Sequence, residues 1–499
     1  MTLLLPAPVS VQKDSRVVFV LHDQPITNPY IKMFPISTNS PNLLPFILYP
    51  AGNTVWLVTI KTSAPVSSQI LNFTVAGGAQ PVATLNGTIV NTVVFDSTLK
   101  RLWLVENNTL AYYDPASKTI ATVPFPANEG PEYIALDSQD RLWLTLAGSN
   151  RIAMYDPAAS RISSYYNVPT ASAGLQGITV SPADNSVWFA EAAAKKIGHL
   201  QCASCTPVEF SPPGEISLSA PVQVAVGSDG MVWFTDHGSN QFGSFNPTSG
   251  EWRVFPVGYC SGECAVGLPN AISFDSHGKL WISEHIAGRI ARYDPSTGQL
   301  TEYLVPGTAS AFTWWMWPGD NDRVWFTSFG LGKIGYVDSS MPVPFSMSTV
   351  SSLSVQRGSS QKINASVTFQ GSGTLSLALS ATTQDAPPGA SVPFLSGVAD
   401  PRQLIPSPAA QQSSITISSA SNSTVGPRYV AVTASNGYVT VNSFVRVTVT
   451  DISSPYSAAL LYVLVGILVA IVVGAALIIL RRRRRIRPTV PAKKNTRRN

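Results

Sequence analysis

The chain has 499 residues, of which 44% are hydrophobic and only 12% charged, enough apolar content for more than one buried core. The formal charge of +5 is set by the C-terminus, where Arg481 to Arg485, Arg487, Lys493, Lys494, Arg497 and Arg498 follow the last acidic residue, Asp451. Without those ten cations the body keeps 23 basic against 28 acidic residues, a mildly acidic balance that argues against nucleic acid as a partner, because such binding draws on clustered Lys and Arg. Few charges with frequent Pro, Gly, Ser and Thr suit an extracytoplasmic, β-rich protein.

Residues 1–27 form a weakly patterned N-terminal segment in which Arg16 to Leu21 reads as a strand. Asn28 to Ile36 resembles the outer strand that ends later units, such as Leu300 to Pro306, yet it arrives before any unit has begun. An outer strand of this kind is expected to close the last unit, whose inner strands near Phe312–Trp317, Val324–Ser328 and Ile334–Val337 would otherwise expose an edge.

From there a repeat runs to residue 340. Hydrophobic triplets centred on Trp56, Trp103, Trp143, Trp188, Trp233, Trp281 and Trp325 are separated by 47, 40, 45, 45, 48 and 44 residues, the period of one four-stranded propeller blade. Each unit reads inner strand, turn, Trp strand, loop, "Lys/Arg-Ile-x-x-Tyr-Asp-Pro" strand, turn, outer strand. Turns such as Asp294 to Gly298 and Asn246 to Gly250 place Pro and Gly where reversals need a fixed or positive φ. The expectation is an all-β chain: a seven-bladed β-propeller over 28–340, then a β-sandwich and one transmembrane helix.

After Met341-Pro-Val-Pro344 the pattern changes to period-two Ser/Thr-rich strands, and 345–451 reads as an immunoglobulin-like sandwich serving as a stalk. Residues 458–480 carry no charge and would cover about 34 Å as a helix against a hydrocarbon core of about 30 Å. The basic run that follows sets 481–499 in the cytoplasm and the propeller and sandwich outside a cell membrane. Met1 to Pro6 has no signal-peptide pattern, so the start lies upstream or the protein is tail-anchored. Cys202 with Cys205, and Cys260 with Cys264, are expected as local disulfides in an oxidising compartment, and a four-cysteine zinc site is disfavoured because the pairs fall on opposite rims. Sequons at Asn72, Asn86, Asn107, Asn364 and Asn422 permit glycosylation there.

In such a unit the loop after the second strand and the loop leading into the first share one rim. Three residues past the tryptophan stand Glu106, Glu191, Asp236 and Glu284, followed in two units by His237 and His285. The other units have Thr59, Leu146 and Ser328, so the fold does not require an acid there. Converging carboxylates from Glu284, Asp236 and Glu191 would hold a hard cation, Mg²⁺ or Ca²⁺. The same rim is expected to bring Glu106, Glu132, Tyr133, Gln176, Gln223 and Asn270 to a ligand. Trp314 and Trp315 would supply aromatic surface for a ring-bearing molecule or sugar.

The combination "Val-Trp-Phe-Thr-Asp/Glu … Lys/Arg-Ile-Gly … Tyr-Asp-Pro … Thr-Glu-Tyr-x-x-Pro" over roughly 40–340 resembles the virginiamycin B lyase (streptogramin lyase) family, and more loosely the gluconolactonase-like propellers. That resemblance implies a seven-bladed propeller that uses Mg²⁺ and a histidine base to open a cyclic depsipeptide at its ester by elimination. His285 beside Glu284 is then the first candidate base and His237 beside Asp236 the second. The family pattern also has a histidine in a "Pro-His-Gly-Ile" run that starts an inner strand; here those runs are Pro131-Glu-Tyr-Ile134, Leu175-Gln-Gly-Ile178, Pro221-Val-Gln-Val224 and Pro269-Asn-Ala-Ile272. Two functions follow: a membrane-anchored, metal-assisted carbon–oxygen lyase or lactonase, or a non-catalytic surface propeller that binds a small molecule, glycan, peptide or protein partner.

Overall fold

The computed structural model describes residues 27–36, 43–106, 109–126, 128–214, 216–257, 267–370, 377–383 and 395–451, together with Ile467, Val473 and Ala475. The chain divides into two compact units, Met1–Val449 and Thr450–Asn499. Expectations for the strand at Arg16 to Leu21, the Cys260–Cys264 pair, the tail 481–499 and most of 458–480 lie outside the described residues. Ile467, Val473 and Ala475 are helical. Among the described residues no helix is long and apolar enough to cross a membrane.

The repeat folds as antiparallel four-stranded sheets, all but the last built in chain order. Sheet one starts with Leu44–Ala51, sheet two with Val90–Asp96, sheet three with Pro131–Leu136, sheet four with Leu175–Val180 and sheet five with Pro221–Val226. Sheet seven comprises Thr313–Pro318, Arg323–Ser328 and Lys333–Asp338, and Ile31–Pro35 completes it from the N-terminus in the register Ile31↔Val337 to Pro35↔Lys333. These six are separate four-stranded blades of a propeller-like fold. Sheet six, Pro269–Phe274, Leu280–Glu284, Arg289–Asp294 and Gln299–Leu304, has the same internal order but is continued by a further strand. The first strands of successive sheets lie side by side, and Thr313–Pro318 returns to Leu44–Ala51.

The recurring tryptophan and the recurring Tyr-Asp-Pro are two halves of one contact. Trp56 meets Tyr113 of the next sheet at 5.9 Å between ring centroids, Trp103 meets Tyr155 at 5.6 Å and Trp233 meets Tyr293 at 5.0 Å. Phenylalanine does the same for Trp188 with Phe245 and for Trp325 with Phe73, the latter across the closure. Each pair contributes about 0.5–1.5 kcal/mol beyond area burial, so the repeat carries its own inter-sheet adhesive. The turns are equally regular. Asp137 and Asp275 each accept the indole N–H of the tryptophan six residues on, at 2.9 and 2.7 Å, while their other oxygen caps turn amides.

The C-terminal strands form a β-sandwich-like sheet around Phe345, Val355, Ile363, Ile415, Val432 and Val447. The expected stalk is not a free spacer. Val439–Thr450 pairs antiparallel with Gln299–Leu304 from Gln299↔Ser443 to Tyr303↔Val439, so one sheet runs from sheet six into the sandwich. Phe444 packs on Phe242 and Phe255, and Tyr429 on Phe255, which buries aromatic surface between the two parts. Asn28 donates to both Leu304 O and Tyr438 O at 2.8 Å and stitches the N-terminus to the same seam.

Candidate functional site

Every first strand slips register near its start. The shifts fall between Pro45 and Ile47, Val90 and Thr92, Pro131 and Tyr133, Leu175 and Ile178, Pro221 and Gln223, Pro269 and Ile272, and Thr313 and Met316. A bulge leaves one residue without a partner and re-aims its side chain, and here all of them sit on the same rim. A hydroxyl two residues past the tryptophan supports the bulged backbone. Thr145 Oγ1 accepts from Tyr133 N at 3.1 Å, Ser283 Oγ from Ala271 N at 3.1 Å, and Thr327 Oγ1 from Trp315 N at 3.0 Å. These hydroxyls went unread in the sequence, although Trp-x-Thr/Ser recurs in four units.

The bulges bring two clusters together. In the first, Tyr133 of sheet three lies 6.5 Å from Trp315 of sheet seven, with the rings stacked, and Gln223 of sheet five lies beside the Tyr133 phenol. Burial, reinforced by the Glu132 charge, pushes that phenol up to about 12. Three sheets that are far apart around the ring therefore meet, and they fill the space between the first strands. In the second cluster, His285 lies flat on Trp314, centroids 4.7 Å apart and planes 16° from parallel, and 5.3 Å from His237. Phe46 stacks on the indole of Trp314 at 5.0 Å, and Phe312 and Phe329 complete the apolar surround.

The Trp314 carbonyl accepts twice, from Asn270 Nδ2 at 2.9 Å and from His285 Nε2 at 3.1 Å. A carbonyl only accepts, so His285 carries its proton on Nε2 and keeps a lone pair on Nδ1. Burial, and then the neighbouring His237, lower its pKa to about 3 against the opposing pull of the Trp314 carbonyl. Burial also lowers His237, against Asp236. Both rings are neutral at ordinary pH.

The acidic positions behave differently from the expectation. Asp236 accepts from Ser219 N, Ala220 N and Gln241 Nε2, so a turn and its own sheet use its oxygens. Glu284 is fully buried, its carboxyl faces Glu302, and among the described residues no N–H or O–H reaches either oxygen. Burial, then the Glu302 charge, hold it well above the usual carboxylate range despite Arg289, whose Nη1 bonds Glu302 Oε2 at 3.0 Å. Glu191 repeats the arrangement with Glu209 and Lys196, and burial followed by Glu209 raises it to about 8. Asp236 is thus engaged by its neighbours, whereas both oxygens of Glu191 and of Glu284 are buried without a hydrogen-bond partner among the described residues. Among the described residues no three His, Cys, Asp or Glu side chains gather to hold a metal ion.

Glu106 is buried at the end of its strand and raised by that burial, while Gln176 sits half-buried in the sheet-four bulge; neither joins the two clusters. Glu132, also raised by burial, accepts from Asn91 of the neighbouring sheet at 3.3 Å. On the opposite rim Cys202 and Cys205 form a disulfide.

The virginiamycin B lyase family profile matches residues 92–353, more than half of the chain. The chain belongs to the virginiamycin B lyase family. No curated protein matches it. Among solved structures, a selenomethionine-substituted virginiamycin B lyase from Staphylococcus aureus is 22% identical with a TM-score of 0.51, covering 61% of this chain and 98% of that one. A streptogramin B lyase is 23% identical at 0.51, over 62% and 96%. A catalytically inactive virginiamycin B lyase from Staphylococcus aureus, with quinupristin, is also 23% identical at 0.51, over 61% and 98%. At these identities the likeness is one of fold. The divalent cation that the family implies does not fit Glu191, Asp236 and Glu284 as a set, since Asp236 is saturated by N–H donors and among the described residues the three carboxyls do not gather.

Proposed function

We propose that the chain is a seven-bladed propeller whose bulged rim binds a ring-bearing, amide-rich ligand such as a cyclic peptide, without turning it over. The observation that carries this reading is the His237–His285–Trp314 cluster: an aromatic shelf bearing two neutral imidazoles beside Asn270, with Asp236 saturated by N–H donors. Neutral imidazole nitrogens exchange hydrogen bonds with amides, and the indole offers a face for rings. Sheet six counts as a blade in this reading because its first strand lies between those of sheets five and seven.

The immunoglobulin-like sandwich and a helix over 458–480 would then anchor the propeller to the outer face of a cell membrane. The Cys202–Cys205 disulfide supports an oxidising compartment, and protease shaving of intact cells tests it: the propeller should be lost and the tail kept. For the site, quinupristin serves as the probe in a tryptophan-fluorescence titration. A saturable change that Trp314→Ala abolishes is expected; no saturable change overturns the reading.

One observation favours a second reading, a lyase or lactonase acting on an ester. Nδ1 of His285 keeps a lone pair at the rim, where an α-proton could be received. A base lowered to about 3 receives protons weakly, which is why binding is preferred.

A further inference from the structure

The rim opposite the histidines holds a cavity of about 480 Å³, within the range of small-ligand sites. It is walled by the first hairpin turns of three neighbouring sheets, at Tyr49 to Gly52, Phe274 to His277 and Trp317 to Val324, with Ser339 at its edge. None of these residues belongs to the rim described above. We propose that this cavity is a second site, and that it takes a saccharide.

The argument begins with an apolar corner. The rings of Tyr49 and Trp317, both half-buried, lie 5.4 Å apart with their planes 33° from parallel. Such a corner matches the C–H face of a sugar ring and leaves its hydroxyls to the surrounding groups.

Those groups are of both hydrogen-bonding kinds. Asp320 and Asp322 accept, Arg323 donates, and Asn321, His277, Ser276 and Ser339 can do either. An anion would meet the aspartates and a cation would meet Arg323, whereas a neutral polyhydroxy ligand uses donors and acceptors together.

The walls are also pre-set, which limits the ordering cost of binding. Asp275 fixes its turn by accepting from His277 N and Lys279 N at 2.9 Å and from the Trp281 indole at 2.7 Å. His277 Nδ1 lies 3.6 Å from Asp322 Oδ1 and links the turns of sheets six and seven. The Arg323 guanidinium is held 4.9 Å over the Tyr336 ring. At Gly319 a Cβ would come within 2.9 Å of Pro50 Cβ and 3.0 Å of Trp325 Cδ1, so only glycine lets the sheet-seven turn close on sheet one.

The test is a glycan array probed with the full-length purified chain, followed by calorimetric titration of the strongest binder among maltose, cellobiose, mannobiose and N,N′-diacetylchitobiose. Saturable binding is expected, weakened at least tenfold by Trp317→Ala and also by Asp320→Ala, an exposed turn position where misfolding is not a concern. The proposal is overturned if no saccharide binds saturably, or if binding survives both substitutions. Binding that Trp314→Ala abolishes and Trp317→Ala leaves intact would place the sugar on the other rim and overturn it too.

Discussion

His285 donates from Nε2 to the main-chain carbonyl of Trp314 at 3.1 Å while its ring lies flat on the Trp314 indole, so one imidazole both fixes a backbone bulge and carries the candidate site. The first prediction concerns its charge. A histidine with an ordinary value of 6.5 and a folded value of about 3 leaves the unfolded chain to take up the proton first as pH falls. Its contribution to stability is therefore complete above 6.5 and is lost progressively as pH drops from there toward 3. Nitrogen NMR should show an Nε2–H tautomer that does not titrate between pH 8 and 5. His285→Phe should lose about 1 kcal/mol at pH 8 and flatten the acid limb of the stability profile.

Glu191 should show the opposite sign. Its folded value of about 8 stands above the ordinary 4.5, so its contribution is complete below 4.5 and is lost as pH rises through 8. Glu191→Gln keeps the shape and removes the charge. Urea denaturation should find wild type and variant nearly equal at pH 4 and the variant more stable at pH 9.

The seam between sheet six and the sandwich gives a third prediction. Asn442 Nδ2 donates to Glu302 Oε2 at 3.0 Å, and Thr433 Oγ1 bonds the Asn442 oxygen at 2.6 Å, in a region where the strands are already continuous. Thermal unfolding of the propeller with its sandwich should be a single cooperative transition. Asn442→Ala should lower stability by about 1–3 kcal/mol, because it strips a donor from a buried carboxylate. Two resolved transitions would show that the parts unfold independently.

Much of this fold was legible because the tryptophan spacing reports a physical unit: Trp103 and Trp281 are buried where adjacent sheets meet, and that geometry recurs at a fixed chain interval. The closing strand at Ile31–Pro35 was legible for the same reason, as an outer strand out of place. The surroundings of the carboxyls were not legible, because the groups that face Glu191 and Glu284 lie on outer strands, where sequence proximity says nothing. Glu284 answers to Glu302 and Glu191 to Glu209. A signal was present: Glu191, Lys196 and Glu209 share their spacing with Glu284, Arg289 and Glu302, so the two carboxyl pairs recur as one arrangement. The docking of the sandwich left no such trace, since Asn442 and Phe444 look like any alternating strand residues until Gln299–Leu304 lies beside them.

The central proposal is that this rim holds its ligand without chemistry, with Asp236 saturated by N–H donors and His285 neutral and pinned to the Trp314 carbonyl. The direct measurement is to incubate the protein with a cyclic depsipeptide and magnesium and to separate cyclic from ring-opened forms by chromatography. The account predicts that the depsipeptide is recovered cyclic, at the level of a protein-free control. Ring opening that His285→Ala abolishes would contradict it.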